Sequence, residues 1–235
     1  MISLIIVLIT IAISVFVFYN RVWFDKLSLR PYLMRQRGQW YRLFSHVLVH
    51  ADWAHLLVNM YVLFIFGKVC EVYFYHFFPQ NSHLYFLLLY LSSIVVSSIY
   101  TIIKHGKNQY YSAVGASGAV MAIVFTSIFF DPWNKLWFFG IIPVPGIVFG
   151  ATYLAYSYYM GKKNIDNIGH DAHFAGAVYG LIFPVIIDFS LLKNFIENLF
   201  YYINSFLGSR GSFPIVGICP QGFLPYHAKV RFGRL

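Results

Sequence analysis

The chain has 235 residues, of which 59% are hydrophobic, 21% aromatic and only 11% charged; its mean hydropathy is +0.65 and its formal net charge +9. Soluble globular domains carry about 25% charged residues, so an ordinary soluble enzyme is excluded and an all-α polytopic membrane protein is expected. Two cysteines, Cys70 and Cys219, exclude a disulfide framework. The basic residues lie in short loops and not in one patch, which suits anionic lipid headgroups and excludes a nucleic-acid partner.

Met1–Tyr19 is almost continuously apolar and about long enough to cross a bilayer. It lacks a basic n-region and a small-residue cleavage site, so it reads as a retained helix and not as a signal peptide. Asn20–Ser45 interleaves basic and aromatic residues, as a loop at the membrane interface does. A second span runs over Trp53–Phe78 and a third over Leu84–Ile103. The fourth begins in the small-residue patch Tyr111–Ala119 and ends at Phe130, before Asp131-Pro132. The fifth, Leu136–Met160, contains Pro143, Pro145, Gly146 and Gly150, breakers that weaken a helix and mark a moving element. After the polar loop Gly161–Asn167, a sixth span covers Gly169–Ile187.

Three divisions follow: a six-helix core over 1–188, an amphipathic interfacial helix over 189–207, and a poorly ordered basic tail over 208–235. The helix is read from Leu191, Leu192, Phe195, Ile196, Leu199, Ile203 and Phe206, which recur at helical spacing. The tail is read from its Gly, Pro and Arg content.

Parity gives the pattern its meaning. Spans two, four and six run in the same direction, so their N-terminal ends share one membrane face. Near those ends stand His46, His50, His55 and Asn59, then Ser117, then His170, Asp171 and His173. Polar groups at membrane depth are expensive and mark function or a water-filled cavity. His55 and Asn59, four apart, share a helix face. On span six, His173 lies above a Gly176/Gly180 ridge, whose packing against the Gly115/Gly118/Ala122 region would carry His173 towards Ser117. A serine becomes nucleophilic when a base within about 2.6–3.2 Å takes its proton. Oxyanion donors would be His55, Asn59 and the Ser117 backbone N–H, helped by the helix dipole.

At these residues the sequence resembles the rhomboid family of intramembrane serine proteases, over about Met1 to Asp188. Gly115-Ala116-Ser117-Gly118 is similar to the family's GxSG, with Ser117 at the nucleophile position. Ala172-His173, followed by Gly176 and Gly180, is similar to its AHxxGxxxG, which makes His173 the general base. His46, His50, His55 and Asn59 fit the second-span pattern, continued by Gly67 and Glu71. There the family binds the oxyanion with the positions of His55 and Asn59. Arg42 matches the arginine of a Trp-Arg pair in the first loop, with Tyr41 in place of the ring. A second departure is Met121, where many members carry an aromatic ring that stacks on the base; His173 is therefore expected to be held differently.

His46 and His50 are read as structural, bonding loop carbonyls to hold the first loop down. Asp171 should point away from His173, leaving a dyad, and His170 is read as facing the interface without a role. Glu71 is read as a structural partner at the far end of span two. Neither a metal nor a cofactor is expected. The resemblance implies an endopeptidase whose substrates are transmembrane helices of other proteins, cut near the outer face of a bacterial inner membrane. Span five with the loop Gly161–Asn167 would be the gate. Lys and Arg number ten in the first, third and fifth loops against seven elsewhere, opposite to the positive-inside expectation; the family orientation is retained over that count. Two rivals are weighed: an inactive rhomboid-like protein that holds transmembrane clients, and a His-box di-iron hydroxylase or desaturase. The latter needs paired HH boxes, and the sequence has none.

Overall fold

Long apolar runs cannot leave backbone groups unpaired in lipid, so they close their hydrogen bonds internally as helices. The computed structural model describes residues 1–138, 141–163 and 168–208. The first helix, α1 (Ile2–Phe18), is followed by three short helices, α2 (Arg21–Leu27), α3 (Pro31–Arg37) and α4 (Arg42–Ser45), and a 3-10 turn at His46–Leu48. Then come α5 (Trp53–Phe77), α6 (Ser82–His105) and α7 (Ser117–Phe130). A hairpin of β1 (Lys135–Phe138) and β2 (Ile142–Pro145) precedes α8 (Gly146–Lys163), α9 (His170–Ile187) and α10 (Ser190–Gly208). Three helices, α5, α6 and α9, are long and apolar enough to cross a membrane; α1 and α7 are shorter apolar helices.

The centre is α7. All of Gly118–Phe130 except Met121 is buried, with α9, α5 and α6 packed around it. The buried face of α1 recurs at alternating steps of four and three: Ser3, Val7, Thr10, Ser14, Val17. These side chains are small, so α1 lies close against α5. A Cβ on Gly67 would stand 2.5 Å from that of Ser3, and the Ser3 N–H donates to Glu71 at 2.6 Å. Glu71 is thus a structural partner, as its position suggested.

The closest approach is between α7 and α9. A Cβ on Gly176 would strike the carbonyl of Gly118, and one on Gly180 the carbonyl of Ala122. The Thr126 hydroxyl donates to the Gly180 carbonyl at 2.8 Å, locking the register. The glycine ridge of the sequence is therefore a backbone-to-backbone contact.

Three expectations are corrected. The chain is mostly but not purely helical: Leu136–Phe138 and Ile142–Pro145, expected inside the fifth span, belong to the hairpin, paired antiparallel as Lys135↔Pro145 through Phe138↔Ile142. Proline lacks a donor and clashes within a helix, so Pro143 and Pro145 fall on a two-stranded edge and α8 starts only at Gly146. Bonds from Gly146 N–H to Asn134 O at 2.9 Å and from Ile147 N–H to Pro132 O close the base of the hairpin. The weakness of α8 thus lies before it and at Gly150, not at internal prolines. Second, α8 continues to Lys163, so Gly161–Lys163 are helical, while 164–167 lie outside the described residues. Third, His170 is buried, its ring edge-on to Tyr156, and does not face the interface.

The last helix, α10, packs on the far end of α7. Phe195 stacks on Phe129 at 4.9 Å, and the Trp133 indole N–H donates to Leu199 O at 3.2 Å. The tail expected from 208 lies, beyond Gly208, outside the described residues.

The first loop is held down by polar anchors. The Arg42 guanidinium is buried and donates to Asp25 O at 2.7 Å, Ser28 O at 2.8 Å and the Gln39 side chain at 2.7 Å. The His46 ring bonds Arg42 O at 3.1 Å, and the His50 ring meets the Ser14 hydroxyl at 3.0 Å. Because Ser14 donates to Leu48 O at 2.8 Å, His50 Nδ1–H donates to Ser14. Burial pushes His46 down to about 4 from the usual 6.5, and burial with the neighbouring His55 pushes His50 down to about 3.

Two predictions follow from the packing and the anchors. Gly180→Val, which forces a side chain into the Ala122 carbonyl, should lower stability by at least about 3 kcal/mol in detergent thermal unfolding. Gly169→Ala, whose Cβ would make only an ordinary contact with Ala172 at 3.8 Å, should stay within about 1 kcal/mol; equal midpoints for the two variants contradict the close approach. For pH, both histidines protonate in the unfolded chain near 6.5 but resist protonation when folded, so the unfolded state binds more protons between those limits. Their contribution is intact above about 6.5 and is lost as pH falls towards 4, by up to about 1.4 kcal/mol per pH unit for each histidine. His46→Asn should flatten that slope; an unchanged slope would remove His46 from the account.

Candidate active site

Ser117 is the first residue of α7. It follows Gly115, whose φ of +113° is open to glycine and strained for other residues. No side chain caps this helix start, so its first N–H groups keep their bonding capacity and the positive end of the dipole. Fourteen residues at 1.5 Å each make α7 about 21 Å long, shorter than the roughly 30 Å of a hydrocarbon core.

His173 stands in the first turns of α9, one turn before Gly176. The same contact that seats Gly176 on Gly118 therefore brings the imidazole to the residue preceding Gly118. His173 Nε2 lies 2.6 Å from Ser117 Oγ. A serine hydroxyl at that distance can pass its proton to the ring. Asp171 points elsewhere, to Lys104 Nζ at 3.0 Å, where it ties α9 to the end of α6.

His55 lies in the first turn of α5, its backbone N–H received by the Asp52 side chain at 2.8 Å. Its ring lies against Gly115: a Cβ there would stand 2.7 Å from the imidazole Cε1. Asn59 is buried one turn further on, and its amide donates to His55 O at 2.9 Å, using one of its two hydrogens. Gly118 admits the Ser97 side chain of α6, which would meet a Cβ at 2.6 Å. The histidine pair His50 and His55 sits edge to face at 4.9 Å, so the loop anchor borders the site directly.

The segment leading to Ser117 is stitched to the first loop. Leu29 and Ala113 exchange both backbone bonds, at 2.9 and 3.0 Å, and the Gly115 N–H donates to His46 O at 3.0 Å. Tyr111 stacks on His105 with centroids 3.6 Å apart. His46, through its carbonyl, and Arg42, through Ser28 beside Leu29, thus support the backbone leading to Gly115 and Ser117, whereas His50 borders the His55 ring. Met121 packs among the core side chains of α7, α5 and α9.

Sequence reasoning did not find Tyr153. It lies on α8, and its hydroxyl is 3.2 Å from His173 Nδ1, the nitrogen facing away from Ser117. Its ring packs on Phe125 of α7 at 6.0 Å and on Phe149 at 5.4 Å. The only signal was indirect: Met121 in place of a ring said that something else holds the base. Ser14 and Ser97 were likewise hidden, each a small residue on a neighbouring helix. Among the described residues, no three His, Cys, Asp or Glu side chains converge as metal ligands.

The chain is 28% identical over 160 residues to the RHOMBOID-like protein 12, mitochondrial, of Arabidopsis thaliana, covering 62% of this chain and 46% of that protein. It is 28% identical over 160 residues to the Rhomboid-like protein 11, chloroplastic, of the same plant, covering 64% of this chain and 54% of that protein. The Rhomboid protease GluP of Bacillus subtilis is 28% identical over 150 residues, covering 62% of this chain and 27% of that protein. The chain thus spans about half or less of the length of the relatives it matches. Residues 37–188, more than half of the chain, match the Rhomboid domain, and the chain belongs to the rhomboid family of helical membrane proteins.

Proposed function

We propose that this protein is a serine-type intramembrane endopeptidase of the rhomboid family. The observation that carries the reading is the 2.6 Å contact between Ser117 Oγ and His173 Nε2 at the start of a short buried helix. In this reading Ser117 attacks the scissile carbonyl while His173 Nε2 takes its proton and later returns it to the leaving amine. The oxyanion would be met by the Ser117 backbone N–H, His55 and Asn59, with the α7 dipole adding to them. Arg42, His46, His50, Gly115, Gly118, Gly176 and Gly180 hold these groups in register.

The substrate would be a transmembrane helix of another protein, entering sideways from the lipid and unwinding, because a helical peptide bond is shielded. The core would be six spans, α1, α5, α6, α7, α8 and α9, over 1–188, with α10 at the interface. The site would open to water at the outer face of a bacterial inner membrane. The gate would be α8, of which only Gly146, Gly150 and Ser157 are buried. It leaves an apolar cavity of about 180 Å³ beside Phe125, Ile128, Leu154 and Leu181. Native interiors are close-packed, so this cavity marks a loose seam between α8 and its neighbours.

The test is cleavage of a reporter transmembrane substrate in reconstituted bilayers. Ser117→Ala and His173→Ala should each reduce the rate more than about a thousandfold. Fluorophosphonate labelling should vanish in Ser117→Ala. Undiminished cleavage in either variant ends the dyad, whereas binding of the substrate by the wild type without cleavage would favour a client-holding protein. Cross-linking α8 to α5, whose Phe149 and whose Val62 and Phe66 pack against the same cluster of Val124, Phe125, Ile128 and Ala177, should block cleavage of helical substrates; unchanged cleavage retires the gate.

A further inference from the structure

We infer that Tyr153 is a positioning residue for the base, standing where an acidic group would complete a triad, and that it makes the competence of His173 depend on the seating of α8. The inference rests on the serine-protease reading above. A phenol can donate or accept, but only one direction is compatible with the chemistry. For His173 Nε2 to accept from Ser117 Oγ, the neutral ring must carry its hydrogen on Nδ1. That Nδ1–H then donates to the Tyr153 oxygen across the 3.2 Å contact. If Tyr153 donated instead, Nε2 would carry the hydrogen and could not receive another.

The acceptor matters most when the proton moves. As Ser117 Oγ bonds to the carbonyl carbon, its proton passes to Nε2 and the ring becomes a cation. The bond from Nδ1–H to Tyr153 is then charge-assisted and strengthens. Tyr153 keeps its own proton throughout. The partner thus favours the charged ring over the neutral one, which is what a transition-state contribution requires.

The placement adds control. His173 and Ser117 sit on α9 and α7, joined backbone to backbone, but Tyr153 comes from α8, which is seated through small residues and beside the apolar cavity. Its ring packs on Phe125 of α7 beside Phe149 of its own helix, so its hydroxyl reaches Nδ1 only while α8 is docked on α7. Moving α8 aside would take the acceptor from the base, and the base would be restored when α8 returns.

The test uses the full chain in bilayers, with Tyr153→Phe, Tyr153→Leu and Ser117→Ala. Tyr153→Phe keeps the ring and should lower kcat by between about 10- and 100-fold at an unchanged KM, the range for a hydrogen bond to a charged group. It should also move the acid limb of the kcat/KM profile down by about one pH unit, because the imidazolium has lost its acceptor. Tyr153→Leu should show the same shift with an added loss of thermal stability. A Tyr153→Phe enzyme with wild-type kcat and acid limb overturns the inference. So does a rate loss that tracks a lower unfolding midpoint with the acid limb unmoved, since that is a packing role alone. Cleavage surviving in Ser117→Ala overturns the protease reading itself, so the two failures are told apart.

Discussion

The contact on which the rest depends is between two backbones. Gly176 lies on the carbonyl of Gly118 and Gly180 on the carbonyl of Ala122, with no side chain between α9 and α7. In lipid, helices gain little from burying apolar surface, because the solvent is as apolar as the side chains; close van der Waals contact is what joins them. A ridge of glycines makes that contact unusually short and leaves little freedom of rotation or sliding. Because Ser117 precedes Gly118 and His173 lies one turn before Gly176, fixing the helix pair fixes the 2.6 Å contact as well. Packing and chemistry are one constraint here, and the Thr126 bond to Gly180 O pins its register from the other side.

The first loop supplies a second frame. It presents a carbonyl, that of His46, to the Gly115 N–H, and a two-bond bridge at Leu29 and Ala113. Gly115 can then hold its positive φ against the His55 ring, where any Cβ would collide. The loop itself stands on buried polar groups, Arg42, His46 and His50, each with named partners. Buried polar groups are destabilising when unpaired, and paired they specify one arrangement. A loop of irregular sequence is thereby tied firmly to the backbone that leads to Ser117.

Much of this was legible in the sequence, for physical reasons. Parity needs only the count of spans to bring the starts of α5, α7 and α9 to one side, and a helical period places Gly176 and Gly180 under His173. What was not legible depended on strand formation or on side chains from elements of unknown rotation. Pro143 and Pro145 were read as defects of a helix, whereas proline avoids helix interiors, and a two-stranded edge was the cheaper solution. His170 was placed outside, although its ring packs against Tyr156. Tyr153 is one of 19 tyrosines, and nothing in its spacing marks it; only the rotation of α8 about its axis decides that it faces His173.

That rotation has a consequence for how stability and activity are divided. The helices that carry the serine, the base and His55 are packed through buried cores and fixed backbone contacts. The helix that carries the hydroxyl on His173 Nδ1 buries little besides small residues and borders a cavity. Regions that must move are drawn from the less stable parts of a fold. A membrane protease must admit a helix from the lipid, and an opening that broke α7 from α9 would destroy the nucleophile–base pair. In the proposed protease, a gate at α8 would let access change while Ser117 and His173 stay together. The imidazole would then lose the Tyr153 hydroxyl, which the returning helix would restore. In the proposed mechanism the element that would control entry also carries the hydroxyl on His173 Nδ1, so no separate device would be required to keep an open site idle.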